Sequence, residues 1–323
     1  MIKSSLLNNI TSILQYRGIH SVNNITQIVL IYEYILCYME MNEGISTRRV
    51  FKLSIELMKT FIIDGKYLEM KTIEKELTLV KDFIKKSLDD KELEFSRYEW
   101  KSLGIVAKYT RVYKYEWNKE ELQELLYDLG ILPHVSKIDE KLLTPDQKIL
   151  LTPFVLNDRK TIRYFPNNQS KSVDVVLTTV VQDSKDCSLE FFLLWWKKLN
   201  GKYHILLAEW KKLKSIAAIS QSFSVETKIH WELGVFCLQS KLEYDTLRIF
   251  KSDLHDLLIK CCKVEISELD RFLAKGLINK REIDNFRKIQ DIFVRFTLIE
   301  KSRENKIFEY LSKRRSKILN FNL

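Results

Sequence analysis

The chain has 323 residues, of which 46% are hydrophobic and 11% aromatic, which supplies a packed core and argues against global disorder. Lysine and arginine exceed aspartate and glutamate by 53 to 43, and this net charge of +10 indicates a polyanionic partner such as RNA, DNA or an anionic membrane surface. Five scattered cysteines without CxxC spacing argue against a secreted disulfide framework, and only 8 glycines and 4 prolines favour long helices over turn-rich β architecture.

The amino-terminal segment has the composition of a targeting sequence. Its first 32 residues contain no aspartate or glutamate, while Lys3 and Arg17 are basic and apolar side chains recur on one helical face. Residues 16–21 resemble a fungal matrix-protease cleavage region. We therefore predict a mitochondrial transit peptide over residues 1–24 and a location in the mitochondrial matrix. The alternative is an ordinary first helix that lacks acidic residues.

Helices follow at regular intervals in the next hundred residues. Apolar side chains at three-to-four spacing over residues 28–61 predict two amphipathic helices, the second closed by Gly65. Further helices are predicted over residues 70–87, around residues 100–113, and over residues 119–129 up to Gly130. These helices make up a predicted amino-terminal helical domain, residues 25–130.

The segment after Gly130 contains all four prolines, between residues 133 and 166, and is predicted to be a connector over residues 131–186. Two β-branched runs, 161–165 and 173–181, flank Pro166 and predict a small β-hairpin. Helical periodicity returns at Leu189, where tryptophans are expected to pack between helices. The predicted fold is therefore mainly α, an irregular helical bundle or helical-hairpin array with a small β-hairpin near the middle, ending in a helical domain over residues 187–323.

The carboxy-terminal stretch is the most basic part of the chain, with eight cations against three acids between residues 295 and 317. We predict that this helix contacts a polyanion, the alternative being a solvated helix end. The candidate contact residues are Arg295, Lys301, Arg303, Lys306, Lys313, Arg314, Arg315 and Lys317.

No complete catalytic, cofactor or metal motif is found in the sequence. No two glycines fall within ten residues of each other, which leaves no Gly-rich phosphate loop, and Gly-x-Ser-x-Gly and His-Glu-x-x-His are absent. His255, Cys261 and Cys262 lack a second pair of ligands for a tetrahedral zinc site. No stretch reaches the roughly 18 to 20 apolar residues of a membrane span. We predict a non-enzymatic protein with no catalytic, cofactor-binding or metal-binding residues, no cofactor and no integral membrane segment.

One segment carries a family resemblance. The run DLGILP at residues 128–133, followed by KILLTPFVLN at residues 148–157, resembles the "LGLLP … KLLLPLALN" segment of the fungal mitochondrial "required for respiratory growth protein 1" family. Residues 48–70, 195–217 and 231–258 are similar to helices of that family in the same order, the last as one long helix. The resemblance implies a mitochondrial factor needed for respiratory growth and for maintenance or expression of the mitochondrial genome, with mitochondrial nucleic acid or a matrix protein complex as partner.

Two alternatives stay open. The family has a Leu-Tyr-Arg start that corresponds here to Ile31, Tyr32 and Glu33, followed by Phe51 and Phe61. This correspondence implies an interaction or assembly module that binds acyl carrier protein or a mitochondrial complex. The second alternative is a DNA-binding regulator of a bacterium or phage, which the lysine and asparagine usage and the basic charge favour.

Overall fold

The computed structural model describes residues 47–89, 97–167, 188–219 and 228–320, with side chains described from Ser54 onward. The predicted transit peptide, the Ile31–Glu33 motif and the predicted strand 173–181 lie outside the described residues. Within the described ranges, no helix is long and apolar enough to cross a membrane.

Helices and strands alternate along the chain. The first half contains α1 (Thr47–Ile63), α2 (Lys66–Asp89), β1 (Arg97–Trp100), β2 (Ile105–Trp117), α3 (Lys119–Asp128), α4 (Leu132–Val135), β3 (Ser136–Ile138), α5 (Pro145–Leu151), a 3-10 turn (Thr152–Phe154) and β4 (Val155–Pro166). The second half contains α6 (Leu189–Ile219), β5 (Lys228–Trp231), β6 (Gly234–Tyr244), α7 (Thr246–Phe250), α8 (His255–Cys261), β7 (Cys262–Val264), a 3-10 turn (Ile266–Glu268), α9 (Asp270–Ala274), α10 (Lys280–Asn285), β8 (Arg287–Glu300) and α11 (Lys301–Leu319).

The predicted helical bundle is wrong, because the strands form three antiparallel sheets with the orders β1-β2-β8, β3-β7 and β4-β6-β5. The predicted helix around residues 100–113 is the end of β1, a turn and most of β2, and the predicted long helix over residues 231–258 is the end of β5, β6 and short helices. β2 is rich in β-branched and aromatic residues that suit a pleated surface. The low glycine and proline counts are compatible with these sheets because strands of 11 to 14 residues need few turns.

Four other helix predictions are confirmed. α1 ends before Gly65, which has a left-handed φ of +76°, and α2 contains the predicted helix 70–87. α3 ends before Gly130, where φ is +66°, since a residue without Cβ adopts this conformation at little cost. α6 begins at Leu189 as predicted and continues for 31 residues.

A first hydrophobic core lies between α1, α2 and α6 and the ends of two sheets. Phe61 of α1 stacks on Trp210 of α6 with ring centroids 5.3 Å apart, and Tyr164 of β4 meets the same tryptophan edge-on at 6.2 Å. Phe236 of β6 is 2% exposed in this core. The large aromatic residues of this region therefore pack between helices and sheet, as the sequence predicts for its tryptophans.

A second hydrophobic core is built from short helices around the β3-β7 pair. Leu126 of α3, Leu132 of α4, Ile249 of α7 and Phe272 of α9 are almost completely buried there. The predicted domain boundaries at residues 130 and 186 stay a prediction.

Two β-ribbons and one helix run from one core to the other. The β2-β8 ribbon begins at the Ile105–Glu300 pair and ends at the Trp117–Arg287 pair, beside the second core. The β4-β6 ribbon extends from Tyr164 in the first core to Val155 against the second. α11 starts on the first sheet and reaches the second core near its end.

Candidate nucleic-acid interface

Half of the eight predicted carboxy-terminal contact residues are held by the protein itself. Arg295 lies on β8 rather than on a helix, with its guanidinium 5.9 Å from the Phe293 ring centroid. Lys301 Nζ donates to Glu304 Oε2 at 3.1 Å. The remaining two contacts join Arg303 Nη1 to His204 Nε2 at 2.9 Å and Arg314 Nη2 to the Ser267 carbonyl oxygen at 2.8 Å.

Lys306, Lys313, Arg315 and Lys317 make no ion pair or hydrogen bond within the described part of the chain. At about 100° per residue, the three lysines fall within roughly 40° of one another on the outer face of α11. Glu309 lies between them in sequence and offsets part of their charge. These lysines form a narrow ridge rather than a broad cationic surface.

A broader cationic surface lies on the β4-β6-β5 sheet, where the sequence analysis places no contact residue. Arg159, Thr161 and Arg163 alternate along β4 as exposed residues, opposite Lys241, Gln239 and Cys237 of β6. On the other side of β6, Lys228 of β5 pairs with Cys237. We call this exposed side of the sheet the basic face, and its cations are Arg159, Arg163, Lys228 and Lys241.

The opposite side of the same sheet explains why these cations point outward. Ile162, Tyr164 and Phe236 are buried in the first core, and successive side chains of a strand point to opposite faces. The polar residues between them are therefore forced to the solvent side. Burial of one face fixes the register, because a slip by one residue would bury Arg163.

The basic face is electrostatically unbalanced. Arg159 stands directly opposite Lys241, an arrangement of like charges that destabilises an antiparallel pair. Within residues 97–167 and 228–320, no carboxylate forms an ion pair with Arg159, Arg163, Lys228 or Lys241. Glu243 follows Lys241 on this face, at the end next to the second core. The face therefore has an excess of positive charge that the described protein does not neutralise.

The positive charge extends from the sheet onto α6, which packs against β4. Burial lowers the pKa of the Lys214 ammonium, and the nearby charges of Arg163 and Lys211 lower this pKa further. Three cations thus repel one another at the edge of the basic face. An anion bound among them would relieve that repulsion.

The surface between these side chains is an open cleft of about 500 Å³, lined by Arg159, Thr161, Arg163, Gln239, Ser240 and Lys241. Guanidinium groups recognise phosphate oxygens through two parallel hydrogen bonds, and neutral hydroxyl and amide groups add donors. Arg159 and Arg163 are about 13 Å apart along the strand, since each residue advances about 3.3 Å. The arrangement can therefore hold more than one phosphate group.

Other chemically active side chains do not converge. Burial raises the pKa of the Cys261 and Cys262 thiols, and the Gln123 amide donates to the Cys262 carbonyl oxygen at 2.8 Å. His255 Nδ1 lies 3.3 Å from the Ser252 carbonyl oxygen. In the described residues no group of three or more histidine, cysteine, aspartate or glutamate side chains could hold a metal ion.

The sequence contained a signal for the basic face. In the run DRKTIRYFP the residues Arg159, Thr161 and Arg163 alternate with Ile162 and Tyr164, the period of a half-buried strand. The β-branched run predicts only residues 161–165 as a strand, and charge density along the chain points only to the carboxy terminus. The contributions of β5, β6 and α6 became visible only through the sheet register.

Comparisons with protein-family models, with curated proteins and with solved structures each found no match to this chain.

Proposed function

We propose that the protein is a non-enzymatic nucleic-acid-binding factor and that its basic face contacts the sugar–phosphate backbone. The observation that carries this proposal is the Arg159–Lys241 pair, two cations facing each other across β4 and β6 without a carboxylate partner in the described residues. A bound phosphate would turn this repulsion into attraction. Backbone contacts of this kind position a nucleic acid without reading its sequence.

The extent of the face supports a polymer rather than a small anion. Its cations span about 13 Å along β4 and three strands across, which are about 4.8 Å apart. Phe165 continues the row of Arg159, Thr161 and Arg163 and is 48% exposed. An exposed aromatic ring beside cations is the arrangement on which bases of a single strand stack. The lysine ridge of α11 is a second surface for the same polyanion.

The direct test is the salt dependence of binding. Fluorescence anisotropy would follow the full chain binding to a labelled single-stranded oligonucleotide of mixed sequence at several salt concentrations. Each phosphate contact contributes about 0.7 to the slope of log affinity against log salt for single strands. We expect Arg159→Ala with Arg163→Ala to lower that slope by about 1 to 1.5 and to weaken binding at low salt.

A matched control uses cations of similar exposure on the other ribbon. Arg111→Ala with Lys114→Ala removes the same charge from β2 and is expected to leave the slope nearly unchanged. An equal loss from both double variants would mean that binding depends on net charge alone, and the basic face would then lose its assignment.

The cellular setting that we propose is the mitochondrial matrix, with maintenance or expression of the mitochondrial genome as the process. Support comes from the acid-free amino terminus and the family resemblance, not from the basic face. Imaging a tagged full chain and a chain lacking residues 1–24 in yeast tests this part. Cytosolic signal from both would favour the bacterial or phage regulator, which would use the same basic face.

A further inference from the structure

The outer edge of β8 is a surface that nucleic-acid binding does not explain. This strand lies at the end of the β1-β2-β8 sheet, and no described strand pairs with its other side. An unpaired edge of this length exposes a row of backbone donors and acceptors to any strand that approaches it.

Unusually apolar side chains accompany this open edge. Ile289, Ile292 and Val294 are 53% to 56% exposed, and Phe293 is 41% exposed. Ile289, Ile292 and Val294 lie on one side of the ribbon and Phe293 lies on the other, so exposed apolar side chains flank the edge on both faces. Charged side chains and bulges usually protect edge strands from association, and on β8 these features lie to either side of the apolar run 292–294, at Lys288, Asp291, Arg295 and the bulge beside Ile289.

The charges of this ribbon differ from those of the basic face. Lys114 stands opposite Asp291, and Glu116 stands opposite Lys288, so opposite charges face each other across the two strands. Arg295 faces Thr110, so no opposite charge stands across the ladder from it. No like charges face each other across β2 and β8, in contrast to Arg159 and Lys241, and Arg295 can pair with an acidic side chain of an approaching protein strand.

We propose that the protein forms a two-fold symmetric dimer in which β8 of each copy pairs antiparallel with β8 of the other, centred on Phe293. In this register Ile292 faces the partner's Val294, which places β-branched side chains on one side of the new sheet. On the other side Asp291 faces the partner's Arg295, and the symmetry makes this attractive pair twice.

Two neighbouring registers are less favourable. A pairing centred on Asp291 places this aspartate opposite its own copy and Arg287 opposite the partner's Arg295, so like charges meet three times. It also centres the contact beside the β-bulge that separates the Lys114–Asp291 pair from the Tyr115–Ile289 pair. A pairing centred on Ile292 leaves Arg295 opposite the partner's Ile289. The Phe293 register alone among these three uses the regular segment 291–295 and satisfies its charges.

Pairing along residues 291–295 would cover the open backbone edge of each β8 and would bring the apolar side chains of the two copies side by side. Pairing would also join the two sheets into one continuous six-stranded sheet, β1-β2-β8 with β8-β2-β1 of the partner.

The decisive experiment is a charge exchange followed by sedimentation equilibrium of the full chain without nucleic acid. In a chain that carries Lys114→Ala, so that residue 291 meets no charge across its own ribbon, Asp291→Arg and Arg295→Asp are each expected to weaken dimerisation by at least about tenfold, because each variant places like charges opposite each other twice. The double variant Asp291→Arg with Arg295→Asp restores both attractive pairs and is expected to recover the original dissociation constant within a few-fold.

Arg111→Asp serves as the control, because it changes an exposed cation of the same ribbon on the strand away from the edge. It is expected to leave the dissociation constant unchanged. A chain that is monomeric at all concentrations, or a double variant no tighter than the single variants, would overturn the proposed dimer. Because nucleic acid is absent, neither result depends on the proposed function of the basic face.

Discussion

The two ribbons that join the cores are similar in length but differ in surface chemistry. In the β2-β8 ribbon, Lys114 and Asp291 face each other, and the exposed side chains include a group of aliphatic and aromatic residues among the charged ones, Tyr113, Ile289, Ile292, Phe293 and Val294. In the β4-β6 ribbon, Arg159 and Lys241 face each other, and the exposed side chains are largely basic and polar. Since both ribbons hold the same cores together, the stability of the fold does not require this difference.

The difference shows that an exposed charge on a strand has to be interpreted together with the charge of the residue opposite it on the neighbouring strand. Net charge along β2 and β8 resembles that along β4 and β6, yet only one register leaves like charges opposed. An unfavourable pair that contributes nothing to the fold indicates a ligand, and a favourable pair beside an apolar edge indicates a protein neighbour. The following variants test each side of this comparison.

The largest effect is expected from the two faces of the β4-β6-β5 sheet. Phe236→Ala removes a ring that is 2% exposed and lies 5.1 Å from the Tyr164 ring centroid, so it should lower the free energy of unfolding by about 3 to 5 kcal/mol. Phe165→Ala, on the outer face, should change it by less than about 1 kcal/mol. Urea unfolding measures both. Equal losses would show that the outer face is packed and not available to a ligand.

The second-largest change in the free energy of unfolding is expected where the β2-β8 ribbon meets α11. The Glu304 carboxylate there is paired with cations of the protein itself. Burial raises the pKa of the Glu304 carboxyl, but hydrogen bonds from Lys108, Lys301 and Arg97 outweigh burial and bring this pKa to about 2. A carboxyl whose pKa is lower in the folded state stabilises the fold above its unfolded pKa and loses this contribution as the pH falls toward 2. The contribution is about 3 kcal/mol.

Glu304→Gln should therefore cost about 3 kcal/mol at pH 7 and much less at pH 2, measured by urea unfolding at several pH values. Glu309→Gln, on the exposed side of α11, is the control and should cost almost nothing. If Glu304→Gln were equally destabilising at both pH values, packing rather than ionisation would explain the loss.

A smaller effect of opposite sign is expected at the edge of the basic face. The pKa of Lys214 is lowered by burial and by the charges of Arg163 and Lys211. A lysine whose pKa is lower in the folded state costs stability while it is protonated, and this cost disappears as the pH rises toward the ordinary lysine range. Lys214→Met should therefore raise the free energy of unfolding at pH 7 and should raise it by less above pH ~10.

Thermal unfolding at pH 7 and in alkaline buffer checks this gain, and Lys86→Met at the exposed end of α2 provides the comparison. A gain of similar size at Lys86 would indicate a general preference for methionine in helices. A loss at Lys214 would mean that its ammonium is paired.

The smallest change in stability is expected where like charges meet. Arg159→Glu converts the repulsive pair with Lys241 into an attractive one and should stabilise the chain by about 0.5 kcal/mol while weakening binding to single-stranded DNA. Arg111→Glu faces Val294 on the other ribbon and should give no such gain. Stability and binding should therefore change in opposite directions only at Arg159. A stability loss there would show that the arginine has a structural partner.

Local signals in the sequence were sufficient for the long helices but not for the sheets. Periodicity and Gly65 or Gly130 at the ends of helices located α1, α2, α3 and α6 correctly. In β2, however, Ile105, Val106, Tyr109, Val112 and Tyr113 recur at spacings that also suit a helix face. Only the pairing with β8 removes this ambiguity, and its partner residues lie far away in sequence.

The basic face could be predicted only in part for the same reason. Alternation around Ile162 identifies Arg159 and Arg163 as neighbours on one side of a strand. Nothing local indicates that Lys241 is opposite Arg159 or that Lys214 approaches Arg163. The carboxy-terminal candidates were identified from charge density, but density does not distinguish Lys306 from Arg314, which is bonded to Ser267.

The pairing of β2 with β8 also determines when the fold can be completed during synthesis. Ile105 pairs with Glu300, and these residues are separated by 195 positions. Contacts of such long range close late, because the entropy of the intervening loop must be overcome first. During translation, β2 leaves the ribosome long before β8 has been synthesised. The apolar side chains of β2 therefore stay unpaired until β8 appears. A nascent chain arrested before residue 287 would therefore lack this connection and would expose β2 to chaperones and to other nascent chains.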